Sequence, residues 1–394
     1  MVIILKWREI PVGARRYILY HTIVSPLLIT WYMFPMYLYM TGYTVLDIGV
    51  LYTIVHIASI IATYLIGKLF DRIAIRHGLV LIDGLEGFSC ILMGLAYGPF
   101  APILLFIALL LDDIASIFYP LYQATEKILY PSDRLEEVFA WHMRLPEISQ
   151  LIGFLVLGFL FGYIYTTPYH YRLGFVLFGL VSILLIVYLL KALPRLDRVE
   201  RLEIESFEFR VDREFIFILL IEALVMFAWS LAPEIVLLNY IVNVLGYTLF
   251  EVMVVEAFIS LGAITATYVS EKISSKHRFK VLSIGYFLVS LWALIMYFKP
   301  PLTIVLLAYF ISRFGDTLAF PFHRSWIFSK IPADRASSLL ATISSYRRII
   351  TFISPAIAGY LAYLYPTLPY LASLILFVLT SLLLLIYSKI SSRS

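Results

Sequence analysis

The sequence has few of the residues that soluble proteins place at their surface. Charged residues make up 14% of its 394 residues, and it contains only two asparagines and two glutamines. A soluble domain carries about 25% charged residues. Hydrophobic residues make up 62% and the mean hydropathy is +0.92. These values exclude an ordinary soluble protein and predict an all-α protein whose partner is the lipid bilayer.

Cysteine is almost absent, and so are the short motifs of catalysis and nucleotide binding. Cys90 is the single cysteine, which excludes an intramolecular disulfide and a cysteine-based metal cluster. No H-E-x-x-H, G-x-S-x-G or G-x-x-x-x-G-K-[ST] pattern occurs. The formal net charge of +4 gives no argument for a nucleic-acid partner. We therefore expect no enzymatic activity, no cofactor, no metal site and no drive by ATP.

Long apolar runs predict about twelve transmembrane helices in two sets of six, each run being close to the roughly 20 residues that cross a bilayer. The runs cover residues 17–40, 47–67, 78–97, 101–124, 139–165 and 171–192, and then 214–240, 247–270, 279–298, 302–325, 337–364 and 367–389.

The positions of lysine and arginine predict the orientation of these spans. Alternate connections are rich in basic residues, whereas the other side of the membrane receives only Arg172 and Lys299. The positive-inside rule then places both termini in the cytoplasm, with the chain in the cell membrane. The longest polar stretch, residues 194–213, is predicted to be a cytoplasmic linker between an N-terminal bundle, 1–193, and a C-terminal bundle, 214–394.

Two short patterns occur once in each half. The segment G-Y-T-V-L-D at residues 42–47 returns as G-Y-T-L-F-E at 246–251, and P-S-D-R at 131–134 returns as P-A-D-R at 332–335. Because the repeated patterns keep the same order, they predict two parallel six-helix repeats related by an axis along the membrane normal, with substrate bound where the repeats meet.

The connection between the second and third spans resembles the signature loop of the major facilitator superfamily, G-x-x-x-D-R-x-G-R-R. Residues 67–76 read G-K-L-F-D-R-I-A-I-R and follow a G-Y-T-x-x-x-I-G pattern at 42–49. The second glycine of the loop is replaced here, and the duplicate at 271–280 lacks both the glycine and the aspartate. With twelve spans and a central linker, the resemblance covers nearly the whole chain.

The resemblance implies a secondary transporter that moves a small solute by alternating access and is functional as a monomer. It also implies a cytoplasmic gate, in which Asp71 faces the positive end of a helix dipole and the loop arginines pair with an acid. Alternatively, these charges only enforce orientation. The gate residues are Gly67, Asp71, Arg72, Arg76 and Glu126.

Ionisable residues inside the predicted spans are the candidates for substrate or proton binding, because each costs at least about 2.5–3.5 kcal/mol at mid-bilayer. Arg144 with Glu147 and Arg313 with Asp316 have the i, i+3 spacing of local ion pairs. His21 and His56 are expected to be packing residues. The full candidate set is Asp112, Asp113, Arg144, Glu147, Glu222, Arg313, Asp316, Arg347 and Arg348, with Glu86 and Glu256 also deep, and with Trp31, Tyr32 and Trp229 as cavity aromatics.

Three interpretations of these charges stay open. Vicinal Asp112 and Asp113 suit proton coupling, since mutual repulsion favours protonation of one of them, and this favours proton-coupled export of a cationic or amphipathic compound. The charges also fit a structural network joining spans four, five, ten and eleven. Finally, Arg347 and Arg348 suit an organic anion, because guanidinium groups bind carboxylate and phosphate. A membrane-embedded enzyme or a non-transporting sensor or scaffold is less favoured.

Overall fold

The computed structural model describes residues 7–70, 74–131, 135–193, 213–270, 273, 277–330, 346–347 and 349–391. Some side chains in the helices, that of Arg144 among them, lie outside this description, as do Asp71, Arg72, Arg348 and residues 194–212 of the predicted linker 194–213.

The described residues are helical almost throughout. The α-helices, in chain order, are α1 Val12–Val24, α2 Thr30–Met40, α3 Val45–Phe70, α4 Ile75–Leu95, α5 Ala101–Ile117, α6 Pro120–Leu129, α7 Leu135–Phe159, α8 Pro168–Ala192, α9 Arg213–Leu231, α10 Glu234–Leu238, α11 Leu249–Ser270, α12 Arg278–Tyr297, α13 Leu302–Lys330, α14 Ser354–Leu364 and α15 Leu368–Ser391.

Eleven helical segments in the described part of the chain are long and apolar enough to cross a membrane. The first is Val12–Met40, in which a 3-10 turn, Ser25–Ile29, joins α1 to α2. A shorter apolar helix, Ile349–Leu364, falls within the predicted eleventh span, whose first residues lie outside the description. The expectation of an all-helical membrane protein is confirmed, with eleven or twelve apolar helices.

The chain divides into two compact units. The first comprises Met1–Gly42 and Ile54–Leu202, and the second comprises Tyr43–Thr53 and Glu203–Ser394. The start of α3 thus groups with the second unit, where the main-chain N–H of Ala356 donates to Thr53 Oγ1 over 2.9 Å. A Cβ on Gly359 would lie 2.7 Å from the Val45 carbonyl oxygen, so α3 and α14 are in close backbone contact.

In the first unit, glycines bring α4 and α8 together. A Cβ added at Gly87 would lie 2.9 Å from the carbonyl oxygen of Gly179, and one added at Gly179 would lie 2.5 Å from that of Gly87. Small residues allow such close approach between helices in membranes. In the second unit, Gly285 and Gly315 bring α12 and α13 together in the same way. A Cβ added at Gly285 would lie 2.7 Å from the carbonyl oxygen of Gly315, and one added at Gly315 would lie 2.5 Å from that of Gly285.

The repeated G-Y-T pattern forms the same structure in both places. Gly42 and Gly246 adopt positive φ, at +94° and +74°. In the next turn, the Thr44 main-chain N–H and hydroxyl both donate to Asp47, at 2.8 and 2.7 Å, and those of Thr248 donate to Glu251, at 2.9 and 2.7 Å. Each is a capping box that starts an apolar helix.

The two basic residues predicted on the sparsely charged side have equivalent partners. The Arg172 guanidinium lies 4.1 Å from the ring centre of Tyr97, and the Lys299 ammonium lies 4.0 Å from that of Tyr365. Both contacts are cation–π interactions at helix ends. These two cations therefore have structural partners in their own units.

The contact between α4 and α8 gives a first prediction. Gly87→Ala places a methyl group against the Gly179 carbonyl and is expected to destabilise the protein by about 1–3 kcal/mol, because the helices must separate. Gly84→Ala, three residues earlier on α4, is the matched control, since the nearest atom to its added methyl would be a flexible Ile186 carbon at 3.8 Å. Thermal unfolding in detergent measures both, and equal stability of the two variants contradicts the close contact.

Candidate functional site

The second unit contains a fully buried carboxylate that is paired with an arginine. Glu222, on α9, is 0% exposed. Its Oε2 lies 2.6 Å from both Nε and Nη2 of Arg347. The other oxygen, Oε1, lies 3.3 Å from Nε2 of His323 on α13. Tyr286 on α12 places its hydroxyl 3.0 Å from His323 Nδ1, which extends the group to four side chains.

This arrangement changes how two predicted residues are interpreted. The sequence presents Glu222 and Arg347 as separate candidates, whereas the structure joins them in one ion pair. Sequence reasoning missed His323 and Tyr286, although His323 lies seven residues after Asp316 on the same helix, which is two turns along one face. Arg348 lies outside the described residues.

The local pair predicted in the tenth span is present. Arg313 Nη1 lies 3.4 Å from Asp316 Oδ2, and the Arg313 side chain is 47% exposed. The i, i+3 prediction is confirmed at this position, and the long distance and the exposure make the pair a weak one. Glu147 is described, but the side chain of its predicted partner, Arg144, is not.

The first unit contains four acids on two helices that pack against each other, α4 and α5. Asp83 and Glu86 are three residues apart on α4, and Asp112 and Asp113 lie near the end of α5. The Tyr20 hydroxyl donates to Asp83 Oδ1 over 2.6 Å. The carboxylates of Asp112 and Asp83 repel that of Glu86, and the carboxylate of Asp113 repels that of Asp112.

Tyrosine hydroxyls donate to two of these acids, Asp83 and Glu86. Tyr119 donates to Glu86 Oε1 over 2.8 Å, and Asp83 is 2% exposed with its Oδ2 atom unpaired. Within the described residues, no lysine, arginine or histidine forms an ion pair with Asp83, Glu86, Asp112 or Asp113. Sequence analysis missed Asp83, although its i, i+3 spacing to Glu86 in an apolar run was a usable signal.

Next to these acids, aromatic and imidazole rings surround His21 on α1. Its ring centre lies 4.6 Å from that of Tyr17, 5.1 Å from that of Tyr122 and 4.8 Å from that of His142. His142 Nδ1 in turn lies 2.8 Å from the Tyr130 hydroxyl. We call this set, with Tyr20, the tyrosine–histidine cluster: Tyr17, Tyr20, His21, Tyr122, Tyr130 and His142.

The predicted gate is described only in part. Gly67 lies in α3, and Asp71 and Arg72 are outside the described residues. Arg76 donates to the main-chain carbonyl of Leu190, and Glu126 Oε1 lies 3.3 Å from His142 Nδ1. Arg76 and Glu126 therefore have other partners in this structure and do not pair with each other.

The three predicted cavity aromatics have different surroundings. Trp31 is 51% exposed, whereas Tyr32 is buried with its ring 6.2 Å from that of Phe154. Trp229 packs on Trp292 at 5.3 Å between ring centres. Tyr32 and Trp229 thus contribute to packing within their units. Over the described ranges, no group of three histidine, cysteine, aspartate or glutamate side chains is placed to hold a metal ion.

Comparison with known proteins identifies the fold. The family model of the Major Facilitator Superfamily matches residues 21–355. A bacterial metal transporter is 17% identical, with a TM-score of 0.68 over 98% of this chain and 99% of that one. A POT family transporter in complex with a thioalcohol-conjugated peptide is 16% identical, with a TM-score of 0.66 over 97% and 99%.

A third solved structure, of the nucleoside transporter NupG, is 12% identical, with a TM-score of 0.63 over 96% of this chain and 99% of that one. No curated protein sequence matches the chain significantly. At these identities the structural likeness shows the fold and not the substrate.

The buried ion pair gives a second prediction. Arg347→Gln leaves the carboxylate of Glu222 without its partner and is expected to cost about 3–5 kcal/mol of stability. The double variant Glu222→Gln/Arg347→Gln should recover part of this loss. Arg313→Gln, which breaks the weak pair with Asp316, is the matched control and should cost less than about 1 kcal/mol. Thermal unfolding at alkaline pH measures all three, and a double variant no more stable than Arg347→Gln contradicts the pairing.

Proposed function

The chain belongs to the Major Facilitator Superfamily, and we propose that it exports a small cationic or amphipathic solute in exchange for protons. Membership makes it a secondary transporter of a small solute. What we propose beyond this is the direction of transport, the charge of the solute and the coupling ion. The observation that supports them is the acid group of the first unit, Asp83, Glu86, Asp112 and Asp113, which has no basic partner in the described structure.

Several carboxylates that repel one another do not all stay ionised in a low-dielectric environment. Mutual repulsion and desolvation both favour the neutral form, so the group takes up protons or a cation. A bound cation offsets the negative charge directly, and then fewer protons are held. Because solute and protons neutralise the same charge, they compete for it, and competition at one site is the physical basis of antiport.

The rest of the mechanism follows the family resemblance. We propose that residues 1–193 and 214–394 rock against each other to open the site to one side of the membrane at a time. In this proposal a single copy of the chain is functional in the cell membrane, with both termini in the cytoplasm. Residues Gly67, Asp71, Arg72, Arg76 and Glu126 belong to its cytoplasmic gate.

An organic anion is the second candidate solute, bound by Arg347 and Arg348. The contacts of Arg347 argue against it, because Nε and Nη2 both lie 2.6 Å from Glu222. An anion would have to displace this fully buried carboxylate to bind these two nitrogens of Arg347, whose side chain is 26% exposed. The similar structures do not decide between the candidates, since they are a metal transporter, a peptide-bound transporter and a nucleoside transporter.

Thermal stability of the purified protein tests the cation site. We expect a primary amine or a lipophilic quaternary ammonium to raise stability by about 2.7 kcal/mol at a hundred times its dissociation constant. The gain should be larger at pH 8 than at pH 5, because protons compete. Asp112→Asn should reduce it.

The matched control is Asp47→Asn, the same substitution at a carboxylate that caps α3 through Thr44, and it should keep the full gain. If organic anions stabilise the parent, cations do not, and Arg347→Gln abolishes the effect, the solute has the opposite charge to the one proposed.

A further inference from the structure

The tyrosine–histidine cluster lies between the carboxyl group of Glu126, at the end of the membrane spans, and the acid group of the first unit. Glu126 is on α6, which lies between the candidate spans Gly98–Ile117 and Leu145–Ile164, and its side chain is 16% exposed. At the other end, Asp83 is on α4 and almost fully buried. No part of the proposed transport cycle uses the side chains between them.

The outer part of the cluster is continuous through His142. Its Nδ1 lies 3.3 Å from Glu126 Oε1 and 2.8 Å from the Tyr130 hydroxyl. Burial raises the pKa of Glu126 to about 7, so this carboxyl group gains and loses protons close to neutral pH. Glu126 is therefore suited to exchange protons with the aqueous phase.

The inner part of the cluster is continuous through Tyr20. Its hydroxyl donates to Asp83 Oδ1 over 2.6 Å and lies 3.4 Å from the Tyr122 hydroxyl. Because the Tyr20 hydroxyl is the cluster member that hydrogen-bonds Asp83, Tyr20 is the last group of the cluster before the acids.

His21 connects the two parts. Its ring contacts His142 at 4.8 Å on one side and Tyr20 and Tyr122 at 5.0 and 5.1 Å on the other, measured between ring centres. Its Nε2 atom is buried and has no hydrogen-bond partner. An imidazole accepts a proton at one nitrogen and releases one from the other. This nitrogen is surrounded by three ionisable rings, and a rotation of the imidazole or of a neighbouring hydroxyl brings it into hydrogen-bonding contact with them.

We propose that the tyrosine–histidine cluster is a proton path that carries protons from Glu126 through His142, His21 and Tyr20 to Asp83. The proposal rests on the proposed function, because it supplies the acid group with the protons that compete with the solute. The contacts of His21 are ring contacts, so each proton transfer across it needs a rotation of an imidazole or a hydroxyl. Such a rotation takes picoseconds to nanoseconds for an unhindered side chain and is slower in a packed core.

The transfer moves one proton from Glu126 to Asp83, and no proton is gained or lost overall. Glu126 gives up the proton of its carboxylic acid and becomes a carboxylate. Each imidazole takes up one proton and releases another, and the Tyr20 hydroxyl releases its proton to Asp83 while it receives one from His21. The net result is one neutral carboxyl group at Asp83 and one new carboxylate at Glu126, with the cluster unchanged.

The test is the rate at which Asp83 becomes protonated after a rapid drop in pH. The full chain is reconstituted in lipid nanodiscs, and the carbonyl band of the protonated carboxyl group is followed by time-resolved infrared spectroscopy. Asp83→Asn identifies the band by removing it. His21→Phe keeps a ring in the cluster and removes both nitrogens, and we expect it to slow protonation by a factor of about 10² while leaving the final amplitude unchanged.

His56→Phe is the matched control, because it removes another histidine of the apolar spans that is not in the cluster, and its rate should equal that of the parent. If His21→Phe does not fold, Tyr20→Phe carries the test, since it removes the hydroxyl next to Asp83 and should slow the rate similarly. A band that rises at the parental rate in these variants overturns the path and leaves the acid site intact. The absence of any Asp83 band in the parent overturns the path and the proposed function together.

Discussion

The low dielectric of the membrane requires that every ionisable group inside the chain be neutralised, and the two units meet this requirement in different ways. In the second unit, Glu222 is paired with Arg347 and lies beside His323, so the negative charge has fixed partners of its own. Such a pair is costly to separate and limits how the helices that carry it can move. The fold of the second unit depends on this internal pairing.

The first unit has carboxylates held by tyrosine hydroxyls and no described cation next to them. Hydroxyls stabilise a carboxylate by hydrogen bonds but do not neutralise its charge. In the proposed exchange, neutralisation comes from groups that arrive and leave, namely protons and a cationic solute. The difference between the units follows from partner chemistry alone, since both are built from apolar helices joined by close glycine contacts.

Three features could be predicted from sequence, because each depends on composition or on residues within one helical turn. They are the spans, the capping motif repeated at Thr44 and Thr248, and the local pair of Arg313 and Asp316. The pairing of Glu222 with Arg347 could not, because 125 residues separate them and only helix packing brings them together. The contact of Tyr20 with Asp83 and the placement of His21 among aromatic rings also depend on helix packing, so they could not be predicted either. Periodicity shows which residues share one helix face but not which helix that face meets.

The most direct test of the account is the number of protons released when the solute binds. The purified protein is placed in weakly buffered detergent solution with a pH-indicator dye near pH 7, and a stabilising cation is added to saturation. Competition for the acid group of the first unit predicts that about one proton per bound cation is released, and that Asp112→Asn releases fewer. Binding of the cation with no release of protons would contradict competition and, with it, the proposed exchange.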